Sequence, residues 1–195
     1  MNLKLQILAA IIIGLQAPGS IARAAGSTPD AAIPPLSGDW ELVPERSTDL
    51  SPWRTLVVHI AIDGDRVTIR NQFASGNRAI DTVAAFDLSN PSNVVRIPWW
   101  SDNRHIGAYI GGDRNERIRG RLIDGGRILR TEADLVLDTQ QGERPVNILT
   151  DYKISPSGSE LAITQLRSTR EIPIVYILHR VSPRGKPVDP STAQP

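Results

Sequence analysis

Apolar and polar positions alternate along most of this chain. Leu56, Val58, Ile60 and Ile62 share one face of an extended segment, and Val67, Ile69 and Phe73 do the same after the turn Asp63-Gly64-Asp65. A period of two on both sides of a turn predicts a β-hairpin. The period returns in Val146, Ile148, Thr150, Tyr152 and Ile154, in Leu161 and Ile163 after Pro156-Ser157-Gly158, and in Ile174, Tyr176 and Leu178. Gly38 to Val43, Ala79 to Leu88, Asn93 to Trp100, Arg117 to Ile123 and Arg127 to Leu137 read as less regular strands. The last two are joined by Asp124-Gly125-Gly126, a tight-turn signal. No window of about twelve residues shows the 3.6 period of an amphipathic helix. About ten strands at this spacing predict an all-β protein. Short connections favour an antiparallel up-and-down barrel of about eight to ten strands, because closure removes exposed edges.

Composition agrees with many turns, since 15 Gly and 15 Pro accompany a hydrophobic fraction of 40%. The absence of Cys excludes a disulfide framework, a thiol nucleophile and a Cys-ligated metal. The first 25 residues read as a signal peptide: Lys4 begins it, Leu5 to Leu15 forms an apolar run too short to span a bilayer, and Ala22-Arg23-Ala24 offers a cleavage site. A periplasmic or extracellular location is expected, without stable membrane insertion. Residues 26–36 read as a flexible linker, 37–181 as the barrel domain and 182–195 as a Pro-rich disordered tail. The whole chain carries a formal charge of +1, and removing Lys4 and Arg23 takes this to about −1. Such a balance gives no general attraction to nucleic acid.

Three short patterns occur in order along the domain: Gly38-Asp39-Trp40 at its first strand, Thr150-Asp151-Tyr152 on a late strand and Arg180 in the last. In these the chain resembles the lipocalins. With Pro44-Glu45-Arg46-Ser47 and the hairpin Ser155 to Leu161, it is also similar to secreted bacterial lipocalin-like proteins. The resemblance implies a barrel that binds a small hydrophobic molecule. On physical grounds, Arg180 can lie over Trp40 as a structural plug at one end, through a cation–π contact contributing roughly 0.5 to 2 kcal/mol.

Alternation places Asn71, Thr150, Tyr152 and Arg180 among the inward polar residues. Trp99, Trp100, His105 and Tyr109 belong to a long polar stretch that reads either as a lid over the barrel mouth or as a solvated loop with one Trp on the core. Trp53 either lies near the same rim or caps the core, and Tyr152 either lines a pocket or packs. The candidate ligand-binding set is therefore Trp53, Asn71, Trp99, Trp100, His105, Tyr109 and Tyr152. His59 and His179 face solvent in this reading, with no metal-ligand spacing and hence no metal or other cofactor expected. No nucleophile elbow, zinc-protease motif or phosphate-binding loop is present, so binding rather than enzymatic chemistry is expected. The leading expectation is a barrel holding a small apolar ligand. The alternative is a protein-interaction module or inhibitor acting through surface loops and the N-terminal segment.

Overall fold

A computed structural model of the chain describes residues 36–100 and 108–181. The signal peptide, nearly all of the linker, the tail and His105 lie outside these residues. Eleven strands are present: β1 (Gly38–Leu42), β2 (Thr55–Asp63), β3 (Arg66–Ser75), β4 (Arg78–Asp87), β5 (Asn93–Arg96), β6 (Tyr109–Ile110), β7 (Asn115–Ile123), β8 (Ile128–Thr139), β9 (Gly142–Ile154), β10 (Glu160–Arg167) and β11 (Ile174–Val181). All pair antiparallel in one sheet, ordered β4-β3-β2-β1-β11-β10-β9-β8-β7-β5, with β6 on β8. Apart from the β1–β11 pair and the β7–β5 step, every neighbour on this path is also a neighbour in sequence. The result is an up-and-down sheet whose first and last strands join.

Joining those strands nearly closes the sheet into a barrel, and the remaining seam lies between β4 and β5. Side chains stitch it where no ladder runs. Asn93 is buried there, donating from Nδ2 to the carbonyls of Asp87, Asn90 and Ile118 while its Oδ1 accepts from the Asp87 N–H. On β7, Gly120 leaves room for the Phe86 ring: a Cβ at position 120 would stand 2.5 Å from Phe86 Cε2.

Several strands differ in length from the expectation, among them β5, β7 and the β8–β9 hairpin, whose strands run on to Thr139 and back to Gly142. β5 stops at Arg96, because Ile97 turns its N–H to the Arg114 carbonyl and Pro98 has none to give a ladder. β7 begins two residues earlier than its apolar pattern, at Asn115. Between β6 and β7 the chain bulges, with Gly112 and Arg114 at positive φ, before β7 resumes pairing with β8.

One end of the barrel is solid. Trp40, Val58, Val67, Leu129, Ile154, Leu161 and Leu178 are fully buried there. Trp40 pairs in register with Val58 on one side and Arg180 on the other, and its indole N–H donates to the Leu36 carbonyl at 3.2 Å. The Arg180 guanidinium carbon sits 4.2 Å from the Trp40 ring centre. Its Nε and Nη1 donate to the carbonyls of Gly158 and Ser37. A smaller apolar cluster of Leu135, Leu137, Val146 and Ile148 lies towards the other end, with Ile97, Trp100 and Ile110 packed on it.

Candidate functional site

The barrel is filled at the Trp40 end and hollow beyond it. A cavity of about 190 Å³ is lined by the first residues of β2, β7 and β11, the middles of β4 and β8, the later parts of β3, β9 and β10, and the end of β5. This placement follows from the alternation of the strands. Inward positions carry large apolar side chains at the solid end and smaller or polar ones further along, such as Ala84, Thr82, Ala133 and Thr131. Leu56, Ile69, Phe73, Ile118, Ile148 and Ile163 supply most of its apolar wall. The segment Arg96 to Trp100 lines it as well, after β5 has ended.

Polar groups in the wall are largely engaged with one another. Asn71 donates to the Thr82 hydroxyl at 3.3 Å across β3 and β4, and Gln165 to the Thr150 hydroxyl at 3.5 Å across β9 and β10. Arg167 donates from Nε and Nη2 to the Gln165 carbonyl oxygen at 2.9 and 2.6 Å, and its guanidinium lies 4.7 Å from the Trp100 ring centre. The buried indole N–H of Trp100 meets no acceptor among the described residues.

Glu116 is the exception among the acidic residues of the barrel. Val95 stands opposite it in the β5–β7 register, and Ile118 follows on the same inward face. Among the described residues its carboxyl group has no hydrogen-bond or ion-pair partner. Burial pushes its pKa from the ordinary 4.5 up to about 7, because an ionised carboxylate loses hydration there and gains nothing in return. Tyr152, on β9, is raised as well, first by burial and then by the nearby Glu116 charge.

Of the candidate ligand-binding residues, Asn71, Trp99, Trp100 and Tyr152 line this one cavity. Trp99 is nonetheless 61% exposed and stands at the rim. Trp53 packs on Phe73 with ring centres 6.1 Å apart, so it backs a wall residue without lining the cavity itself. Tyr109 points away, 69% exposed, because the two-residue β6 turns Ile110 rather than Tyr109 towards the smaller apolar cluster. His59 lies on the outer face and binds Asp39 through Nδ1 and Gln72 through Nε2. Sequence reasoning missed Glu116, Arg96, Arg167 and Gln165. Extending the alternation of β7 back from Ile118 by one pair of residues would have put Glu116 inside.

No family model matches this chain, and no curated protein matches it. Among the described residues no helix is long and apolar enough to cross a membrane. Among solved structures, the chain is similar to secretory abundant heat soluble protein 4 from Ramazzottius varieornatus, with a TM-score of 0.47 and 11% sequence identity over 76% of this chain and 96% of that one.

Proposed function

We propose that the protein is a secreted or periplasmic lipocalin-like carrier whose barrel holds one small, largely apolar molecule. The cavity is the observation that carries this reading. It is apolar over the larger part of its wall, has a few polar groups set into it, and lies in a barrel whose other end is filled around Trp40 and Arg180, which is the ordinary make-up of a small-molecule site. The signal-peptide pattern of residues 1–25 supports export. An interaction module working through its loops would have no use for a hollow interior, so the cavity favours the carrier.

Size sets the ligand class. A dry cavity of roughly 150 Å³ holds benzene, so this one suits a single ring or a chain of about eight carbons. Burying such a chain contributes on the order of 6 kcal/mol before the losses of association, which points to dissociation constants in the micromolar to millimolar range. Calorimetric titration with n-octanol tests the reading, alongside the filled variants Ala133→Leu and Thr131→Leu. Saturable binding that weakens at least tenfold in both variants is expected. Absence of binding, or binding that survives filling, would contradict the proposal.

A further inference from the structure

Glu116 carries information about the ligand that the apolar wall does not. We propose that the cavity is built for a small apolar molecule bearing one basic nitrogen, whose protonated amine pairs with the Glu116 carboxylate. This rests on the carrier reading above and narrows it to a ligand class.

The argument is one of hydrogen-bonding accounts. Asn71 with Thr82, and Gln165 with Thr150 and Arg167, satisfy one another across neighbouring strands. Glu116 stands between the apolar Val95 and Ile118 with no partner among the described residues. A half-buried carboxylate in an apolar wall accepts hydrogen bonds and cannot donate them, so what completes it is a donor, and a cationic donor completes it best. Four other charged or titratable side chains line the cavity: Arg96 after β5, Tyr152 on β9, Arg167 on β10 and Tyr176 on β11. The Glu116 charge helps to hold the Tyr152 hydroxyl protonated. The Arg167 guanidinium is directed to Gln165 and the Trp100 ring, and burial is what raises the proton affinity of Glu116. Among the described residues neither guanidinium pairs with the Glu116 carboxylate, so an incoming ammonium finds that acceptor open. An anionic ligand would set a second negative charge against the carboxylate. A neutral carbonyl compound would use only its protonated form and would bind better in acid.

Amine binding has the opposite sign. Below pH 7 the free protein holds a proton on Glu116 that the ammonium must displace, so affinity falls about tenfold between pH 8 and pH 6. The experiment is calorimetry with n-octylamine, n-octanol and n-octanoate, which share a tail, on the naturally processed wild type and Glu116→Gln. We expect octylamine to bind at least tenfold more tightly than octanol at pH 8, to lose that margin at pH 6, and to lose it at both pH values in Glu116→Gln, with octanol measured on the same variant as the reference. Octanol binding with no amine preference overturns this inference and leaves the carrier reading standing. An amine preference that persists in Glu116→Gln, or tightest binding of octanoate, overturns it equally. Failure of all three to bind overturns the carrier reading itself.

Discussion

Glu116→Gln keeps the shape of the side chain and removes its charge, so it isolates what the buried carboxylate does to stability. In the folded protein this carboxyl titrates near pH 7, and in the unfolded chain near its ordinary value of 4.5. Between those values the folded state holds a proton that the unfolded state has released. The contribution of Glu116 to stability is therefore most favourable below pH 4.5, declines as pH rises through this window, and levels off above pH 7, where the group is ionised. The gap between the two values corresponds to roughly 3 kcal/mol as an upper limit. Solvent in the cavity reduces it, so we expect about 1 to 3 kcal/mol. The assay is urea denaturation at pH 4 and pH 8. Relative to wild type, Glu116→Gln should gain about 1 to 3 kcal/mol on going from acid to pH 8, a shift in midpoint on the order of 1 M. Parallel pH profiles for the two proteins would refute the reasoning. A group that weakens the fold at the pH where it is charged is what a ligand-binding residue looks like before its ligand arrives.

Other residues give independent tests. Arg180→Ala removes the guanidinium from the Trp40 ring and its bonds to Gly158 and Ser37, and should cost about 1 to 3 kcal/mol by urea denaturation without changing octanol affinity; a wild-type midpoint would contradict the plug. Gly120→Ala drives a methyl group into Phe86 and should destabilise by about 1 to 3 kcal/mol, with Phe86→Leu restoring part of the loss in the double variant. His59 should titrate above its ordinary 6.5 by NMR, held up first by Gln72 and then by Asp39. Its pairing helps stability in acid and is lost as pH rises through that raised midpoint, and Asp39→Asn should lower the midpoint. An unshifted His59 would mean that these contacts are not kept in solution.

The fold was legible because period-two alternation survives in nearly every strand. Leu56, Val58 and Ile60 face the core where the pattern put them, and Trp40 meets Arg180 across β1 and β11. Asn71 and Tyr152 reach the cavity for the same reason. Alternation fails where strands end for reasons remote in sequence. β5 gives way at Ile97 to a bond with Arg114, and the bulge before β7 hides the start of that strand within the polar run Asp113 to Arg117. A carboxylate in such a run reads as a solvated one. Carrying the alternation back from Ile118 turns it inward, as the β5–β7 register that sets Glu116 against Val95 bears out. Tyr109 is the converse, an aromatic residue that pattern alone left open between a lid over the mouth and a solvated loop and that a two-residue strand turns outward.

That the barrel is a container is tested most directly by native mass spectrometry of the protein purified from its own cells without detergent. The account predicts a reproducible adduct with the mass of a small organic molecule, lost on denaturation and diminished in Ala133→Leu. Bare protein from several preparations, together with no uptake of octanol or octylamine when these are added, would contradict it.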